Sequence, residues 1–526
     1  MIDVPVSHIE LLIGFIIEAT APFEAWHERL IRELRALPGV QIACVILDPA
    51  RRRPAFASSL EQAAFQIDNL VTKRRGAQAR PDWRGVQIDA GAAVCDRPLD
   101  IMLDLRAEAG ELSQPVGEVW TVDFLRGPAS PERTGMQMAV TSPGAFPIAL
   151  EARTASGYHT IDQAVCASRR SAARNLEQAQ QVIVAMILRT LRARLSGAQV
   201  RAGRANAQDA LTLQAPGAAP KDQALLFAGN FVSYAAARGA DTLSKRVSAW
   251  SGMLSPHFRL YHGRGSPLDF SPGEAEALSS SRKHYLADPF LFRRDGRLWA
   301  FFEVFDYVDD TGSIGVAELT HDGLGPVSIV MSGGGHLSYP HVFEYAGEIY
   351  MMPECCARRR VEIWRAVNFP FEWELVSSAL EGAYAVDSNL HFDGAKWWLF
   401  TNAAFDPSVD AGLELSVYEA DGPLLKRLEP HARNPVVADA RYARNGGRVF
   451  WKDGKLYRPA QSLEYGQYGY GLYLMEILRL SHSEYEERPV RFIRGCHHVD
   501  SNGEDVIFDL RRGVSGVQAT AMDKAR

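Results

Sequence analysis

The chain has 526 residues, of which 57 are lysine or arginine and 63 are aspartate or glutamate, so its formal net charge is −6. This balance lacks the excess of basic residues that is typical of nucleic-acid-binding proteins. The sequence contains no apolar run that is long enough to cross a bilayer and none that resembles a secretory signal. We therefore expect a two-domain cytoplasmic protein with no nucleic-acid partner and no transmembrane segment.

The first part of the chain alternates strands with helices. Residues 9–48 predict a strand (LLIGFII), a helix (FEAWHERLIRELRAL) and a second strand (VQIACVIL). The runs LDIMLDL, EVWTVDF and FPIALEA predict further strands, and a long helix is expected from about Ile161 to Leu195. Such alternation is typical of an α/β domain with a mostly parallel sheet, which we place at 1–195.

This first domain is similar to formyltransferase-like domains, on the phrases LDIMLDL, GEVWTVDF and CASRRSAARN. Formyl transfer in that family requires an Asn-His-Asp site. The stretch LDIMLDLRAEAGELSQPVGEVW contains neither asparagine nor histidine, and Asp123 stands alone. The resemblance therefore implies a degenerate domain that works in packing, oligomerisation or donor recognition. No G-x-G-x-x-G follows the first strand, so no dinucleotide or other cofactor is expected.

Residues 196–250 predict a linker and one amphipathic helix. The segment 196–222 is rich in alanine, glycine and glutamine, as junctions between domains often are. We expect the second domain to span 251–526.

The second domain contains a repeated glycine. Each copy lies in a short polar break between two apolar runs, which predicts a hairpin turn. The copies are Gly296, Gly347, Gly394, Gly454 and Gly503, separated by 51, 47, 60 and 49 residues. A period near fifty residues built from hairpins predicts a five-bladed β-propeller, because one blade cannot bury both of its faces alone. The run HFRLYH (257–262) is expected to complete the last blade and close the ring.

Polar residues occupy positions that should face the propeller's central funnel. Asp288, Asp387 and Asn445 begin first strands, and Glu303, Glu354 and Gln461 end second strands, each seven residues past its glycine. Two histidines, His497 and His498, lie near the start of the fifth blade. A carboxylate in apolar surroundings costs free energy unless it has a bonding partner, and such residues often serve in binding or catalysis. This ring therefore predicts either a sugar site or bonds that hold the blades together.

The propeller resembles two families. ADPF in blade one, with acids at matching blade ends, is similar to the arabinanase, levansucrase and invertase superfamily of glycoside hydrolases. LSYPHVF, YMMPE, FPFEWEL, RNGGRVF and LYRPAQ more closely resemble the N-terminal propeller of glucosamine inositolphosphorylceramide transferase. The hydrolase resemblance implies that Asp288 is the base or nucleophile, Glu354 the general acid and Asp387 the supporting acid. Glu303 is the alternative candidate for the general acid.

Glycosidic chemistry needs one protonated and one ionised carboxyl across the sugar ring, and their separation decides between retention and inversion. Arg444, Arg458 and Gln461 are expected to bind hydroxyls or an anionic group, unless the arginines form salt bridges between blades. We predict a carbohydrate-active protein that makes or breaks a glycosidic bond without a metal, with glycosyl transfer favoured. A hydrolase and a non-catalytic binder of glycans or lipid-linked sugars remain open as alternatives.

Overall fold

The computed structural model describes residues 10–18, 24–49, 58–72, 86–90, 98–106, 116–123, 131–141, 144–154, 157–197, 223, 225–230, 232–233, 236, 239, 258–278, 284–407, 409–511 and 519–521. The chain divides into two compact units, 1–234 and 235–526. Most of the predicted linker and helix at 196–250 lies outside the described residues. Within the described part of the chain, no helix combines the length and the apolar character that crossing a bilayer requires.

A seven-stranded sheet with helices forms the first unit. Its strands are β1 (Leu11–Glu18), β2 (Val40–Asp48), β3 (Gln87–Ala90), β4 (Leu99–Asp104), β5 (Val116–Val122), β6 (Ala145–Thr154) and β7 (Gly157–Ala167). Their spatial order is β3-β2-β1-β4-β5-β6-β7. The first five pair in parallel, and β6 and β7 add an antiparallel edge. The predicted α/β architecture with a mostly parallel sheet is confirmed.

The helices of this unit are α1 (Ala25–Ala36), α2 (Ser59–Thr72), α3 (Pro131–Thr141) and α4 (Ala172–Leu195). The prediction that the long helix begins near Ile161 was wrong, because 157–167 pair with β6 as an antiparallel strand. Ser171 sets the true start of α4, since its side chain accepts the Arg174 amide at 3.1 Å. Asp68 of α2 accepts from Ser171 Oγ at 2.8 Å and from the Ala173 amide at 2.9 Å.

The second unit contains five β-sheets, which confirms the predicted five-bladed propeller. Blade one has β10 (His284–Arg294), β11 (Arg297–Asp306), β12 (Thr311–Thr320), β13 (Gly323–Leu324) and β14 (Ser328–Met331). Blade two has β15 (Ser338–Tyr345), β16 (Glu348–Glu354), β17 (Val361–Asn368) and β18 (Glu372–Ala379). Blade three has β19 (Tyr384–Phe392), β20 (Trp397–Ala404), β21 (Ser416–Ala420) and β22 (Leu428–Pro430).

The last two blades use strands that are distant in sequence. Blade four has β23 (Arg444–Asn445), β24 (Phe450–Lys452), β25 (Lys455–Ser462), β26 (Gly471–Leu480), β27 (Tyr485–Arg494) and β30 (Ala519–Ala521). Blade five has β28 (Cys496–Ser501), β29 (Asp505–Arg511), β8 (Phe258–Arg264) and β9 (Glu276–Ala277). Because β8 pairs with β29 from Phe258 to Arg264, the predicted closure of the ring by 257–262 is confirmed.

The repeated glycines form the predicted hairpin turns. All five have a positive φ: 75° at Gly296, 81° at Gly347, 103° at Gly394, 73° at Gly454 and 97° at Gly503. Glycine adopts this backbone region without the steric cost that a Cβ brings, so these positions fix where each first strand turns back into the second.

Apolar side chains from adjacent blades pack into shared clusters. Phe301 and Ile314 of blade one pack with Val342 and Met351 of blade two, and Phe400 of blade three packs against blade four. This packing stabilises the contact between adjacent blades, since the hydrophobic contribution scales with the apolar area removed from water. The same packing keeps the innermost strands of adjacent blades next to one another.

Candidate functional site

Bulges in the innermost strands position the candidate site. The strand register shifts between Ala287 and Phe290 in β10, and equivalent shifts occur in β15 and β19. At these shifts Asp288, Tyr339 and Asp387 have φ of 50°, 49° and 48°. Non-glycine residues rarely adopt this left-handed conformation, and β-bulges of this kind re-aim side chains beside active sites. Three consecutive blades therefore carry a redirected side chain at the same strand position.

Asp288 belongs to a buried group that joins blades one and five. His497 Nδ1 lies 3.3 Å from Asp288 Oδ1 and 3.1 Å from Asp509 Oδ2. The Asp288 amide donates to Asp509 Oδ2 at 3.0 Å. His497 Nε2 bonds to the hydroxyl of Tyr468, so both ring nitrogens are engaged. His497 therefore holds two carboxylates from neighbouring blades.

Glu354 and Asp387 form a second group, which joins blades two, three and four. Glu354 Oε2 accepts the amide of Asp387 at 2.9 Å. Arg444 Nε donates to Asp387 Oδ2 at 2.6 Å, and Gln461 Nε2 reaches the same oxygen at 3.4 Å. The guanidinium of Arg444 also lies over the ring of Tyr468, 5.1 Å from its centroid. Tyr468 thus contacts both groups.

Glu303, the alternative candidate for the general acid, lies near the end of the second strand of blade one, three residues before Asp306. It is buried, with 5% of its surface exposed, and its Oε1 is 3.2 Å from His336 Nε2. His336 Nδ1 accepts the amide of Gly312, which leaves Nε2 as the nitrogen that carries a proton toward Glu303. This hydrogen bond raises the pKa of His336 above its ordinary value.

The predicted acids influence one another's pKa, so the fold brings them together. Burial raises the pKa of Glu354 to about 8, and the negative charge of Asp387 adds to this rise. Burial also raises the pKa of Asp288 well above its usual range, against the opposing charge of His497, while Glu303 and Asp387 raise it further. Burial lowers the pKa of His497, but Asp509 and Asp288 outweigh it and bring the value to about 9. The site therefore combines a carboxyl that keeps its proton at neutral pH with an imidazolium that is also charged at neutral pH.

Three of the predicted substrate-binding residues are engaged inside the protein instead. The guanidinium of Arg458 is fully buried, with Nη2 2.6 Å from Glu487 Oε1 and a further bond to the Tyr442 carbonyl. Asn445 Nδ2 donates to the Asp387 carbonyl at 2.8 Å, so it connects blades three and four. The Asn445 contact supports the alternative in which part of the polar ring holds blades together, whereas the Arg458 pair lies within blade four.

The third is His498, which is fully buried between the rings of Phe290 and Tyr339, at centroid distances of 4.6 and 5.0 Å. Burial lowers the pKa of His498 to about 3, so it is neutral at physiological pH. Among the described residues, neither of its ring nitrogens has a hydrogen-bond partner. His498 therefore packs as an aromatic residue, whereas Arg444 and Gln461 do reach the acids.

Sequence reasoning missed Asp509, His336 and Tyr468. Asp509 had a signal, because it lies six residues past Gly503, close to the seven-residue step that identified Glu303 and Glu354. His336 and Tyr468 lie between strands, where no strand periodicity applies. Their roles follow only from the contacts that the fold creates.

A group of three potential metal ligands consists of Asp288, His497 and Asp509. One ligand atom from each lies within 4.8 Å of the others, and this donor set suits a divalent cation. However, the Nδ1 atom that would bind the cation faces both carboxylates, and their charges raise the pKa of His497 to about 9. A cation at this position would therefore displace the proton that Nδ1 carries at neutral pH.

Comparisons with known proteins identify a relative of the propeller. Residues 274–504 match the sequence model of the family described as glucosamine inositolphosphorylceramide transferase 1, N-terminal. The transferase of that name from Oryza sativa subsp. japonica is 34% identical over 257 residues, which cover 44% of this chain and 34% of the relative. Its counterpart from Arabidopsis thaliana is 36% identical over 241 residues, which cover 44% of this chain and 31% of the relative.

Two solved structures match a similar share of the chain. A GH43 β-xylosidase/α-arabinofuranosidase from a compost metagenome is 13% identical, with a TM-score of 0.33 over 45% of this chain and 91% of that one. An α-L-arabinanase from Cellvibrio cellulosa is 12% identical, with a TM-score of 0.29 over 45% and 93%. The chain spans about a third of the length of the curated relatives. Its propeller is similar to the N-terminal domain of glucosamine inositolphosphorylceramide transferase 1, as LSYPHVF and YMMPE predicted.

Proposed function

We propose that the propeller binds a sugar or glycoconjugate and makes or breaks a glycosidic bond at the acids of blades one to three. Glu354 acts as the general acid, Asp288 as the base or nucleophile, and Asp387 orients the substrate. The observation that carries this proposal is the raised pKa of Glu354, about 8, in a side chain that accepts the backbone amide of Asp387, whose own carboxylate is salt-bridged to Arg444. Glycosidic chemistry requires this pairing of a proton donor with an ionised carboxyl.

His497 supports the role of Asp288. Burial favours the protonated form of the Asp288 carboxyl, which would remove the base. The imidazolium of His497, 3.3 Å away, favours the ionised form and so opposes this shift, while the pKa of Asp288 stays above its usual range. Asp387 is a weaker candidate for the base, because Arg444 and Gln461 already occupy its Oδ2.

Transfer is the direction that we favour over hydrolysis. The relatives that match the propeller are named as transferases, and we infer that this chain also works in glycoconjugate synthesis. Since the match covers about a third of those relatives, the transfer reaction, its donor and its acceptor are part of the proposal.

A binding module without chemistry is the second candidate. It is favoured by the number of internal bonds at the site, since Glu354, Asp387 and His497 are all hydrogen-bonded to other protein groups. Such a site would present a rigid polar surface to a glycan, and the raised pKa values would follow from burial and from the neighbouring acids without any catalytic role.

The test is a screen of nucleotide-sugars and aryl glycosides against the intact chain, followed by Asp288→Asn and Glu354→Gln. We expect each variant to lose at least about a hundredfold in turnover while it still binds substrate, because a general acid or base contributes that much. Full turnover in both variants would refute the catalytic assignment. Weaker ligand binding with no turnover in the unmodified chain would establish the binding module.

For the first unit we propose a formyltransferase-like scaffold that has lost formyl transfer. Its parallel sheet and Asp123, which is exposed after β5, are compatible with this origin. We expect no consumption of a formyl-folate donor by the intact chain, and no effect of Asp123→Asn on any turnover found in the screen. Formyl release that Asp123→Asn abolishes would contradict this proposal.

A further inference from the structure

Helix α2 of the first unit turns its charged residues inward. Glu61 is 5% exposed and lies 3.2 Å from Arg133 Nε, and Asp68 is fully buried against the start of α4. The inward face of this helix therefore carries two buried acids beside Phe65 and Thr72, which departs from the usual apolar inner face of a helix on the surface of a domain.

The outward face of α2 is apolar and carries no charge. Leu60, Ile67, Leu70 and Val71 are 48%, 56%, 83% and 55% exposed, and Ala63 between them is exposed as well. Residues 60, 63, 67 and 70 follow steps of three and four, so they form one stripe along the helix. The remaining exposed residues of α2 are Ser59, Gln62 and Gln66. We call the exposed apolar residues of this helix (Leu60, Ala63, Ile67, Leu70 and Val71) the α2 stripe. An exposed apolar surface of this kind marks an interaction site.

The sequence around α2 is strongly basic. Arg51–Arg53 precede the helix, and Lys73–Arg75, Arg80 and Arg84 follow it. Between 49 and 85 the acids are Glu61, Asp68 and Asp82, and the first two are buried inside the unit. The stripe is therefore flanked in sequence by positive charge on both sides and has no acid of its own.

We propose that the α2 stripe docks on an anionic lipid surface. An uncharged apolar helix face flanked by lysine and arginine is the arrangement that inserts into the interface of bilayers containing acidic lipids. A second copy of this chain fits less well, because pairing two α2 helices in either direction would bring basic flanks together. This inference concerns the first unit alone and does not depend on the propeller site.

The experiment measures co-sedimentation of the full chain with vesicles. One set contains phosphatidylcholine alone, and in the other about a third of the lipid is phosphatidylglycerol. We expect binding to the second set to be at least about tenfold tighter, and to weaken when the salt concentration rises from about 0.1 M to about 0.5 M. The double variant Ile67→Gln with Leu70→Gln should bind the vesicles that contain phosphatidylglycerol at least about tenfold more weakly, since both side chains are exposed and available to the lipid.

The matched control is Val308→Gln, which changes a 71% exposed apolar residue of the propeller and should leave vesicle binding unchanged. Equal binding to both vesicle sets, or full binding by the double variant, would overturn the proposal. Light scattering supplies a further check. A dimer that the double variant dissociates, without vesicle binding by the unmodified chain, would assign the stripe to self-association and also overturn it. The variants should unfold at the same temperature as the unmodified chain, which shows that any loss of vesicle binding comes from the changed surface and not from unfolding.

Discussion

Arg444 Nε donates to Asp387 Oδ2 over 2.6 Å, and this ion pair joins the fourth blade of the propeller to the third. The backbone amide of Asp387 donates in turn to Glu354 of the second blade at 2.9 Å. Asp387 thus links three blades, with its carboxylate bonded to Arg444 and its backbone amide bonded to Glu354. The arrangement keeps like charges close together, which costs free energy unless a proton or a cation neutralises one of them.

Replacing Arg444 by glutamine should destabilise the protein by roughly 3 kcal/mol, because it leaves the buried Asp387 carboxylate without its cation. The same change should raise the pKa of Glu354 above about 8, since the charge of Arg444 lowers it. Chemical denaturation measures the first effect, and the pH dependence of turnover or ligand binding measures the second. Arg297→Gln, which breaks the exposed pair with Glu318, is the control and should leave the denaturation midpoint almost unchanged. A midpoint shift as small as that of the control would contradict the inter-blade role of Arg444.

Glu354→Gln should change how stability depends on pH. The pKa of this carboxyl rises from 4.5 to about 8 in the folded chain, so between these values the folded state holds a proton that the unfolded state has lost. The stability of the unmodified protein therefore falls as pH rises through this window. The glutamine variant has no such proton, while its amide oxygen can still accept from the Asp387 amide. Relative to the unmodified chain it should gain on the order of 2 to 4 kcal/mol between pH 5 and pH 8.

Denaturation curves at several pH values across that window test this prediction. The matched control is Glu344→Gln, at an exposed position on β15. Parallel stability profiles for the unmodified chain and Glu354→Gln would show that Glu354 does not retain its proton.

Asp288→Asn should lower the pKa of His497 from about 9 toward its ordinary value of 6.5. Asp288 is one of the two carboxylates whose charge raises this pKa, and Asp509 remains in the variant. Histidine-selective NMR across pH 6 to 10 follows the titration directly. In the unmodified chain the stabilisation from this imidazolium is complete below pH 6.5 and is lost as pH rises through 9. A titration midpoint that Asp288→Asn leaves in place would mean that Asp509 alone sets the charge of His497.

Gly454→Ala tests the hairpin turns of the repeat. This glycine has a φ of 73°, and an added Cβ would meet no atom within 4 Å, so the cost arises from backbone conformation alone. We expect a loss of about 1 kcal/mol in the free energy of unfolding. Gly273→Ala, also in open space but without a positive φ, should cost far less. Equal losses at the two positions would remove the conformational explanation for the repeated glycine.

The sequence identified much of the acid cluster because the repeat places equivalent residues at equivalent strand positions. Glu303 and Glu354 follow their glycines by seven residues, and both lie at or near the ends of second strands in the structure. Asp288 and Asp387 lie in first strands at matching bulges, which the alternating apolar pattern does not reveal. A register shift of one residue redirects a side chain to the other face of the strand, and sequence periodicity alone does not locate it.

The sequence left open whether Arg458, Asn445 and His498 would meet a sugar or bond to other protein groups. In the structure Arg458 pairs with Glu487 inside blade four, and this partner lies 29 residues along the chain. Whether a polar group faces a ligand or another blade depends on which residue the neighbouring strand presents, and this is a property of the assembled sheet.

The amino-acid sequence determined the blades themselves, since the turns, the apolar strands and the closing strand are set by local conformational preference and by the need to bury apolar surface. The assembled ring decided the chemistry. It placed Glu354 against Asp387 and His497 between Asp288 and Asp509, across separations of 12 to 221 residues. Proton affinity in these groups depends on the charges and the water within a few ångströms, and those surroundings exist only once distant parts of the chain are packed together.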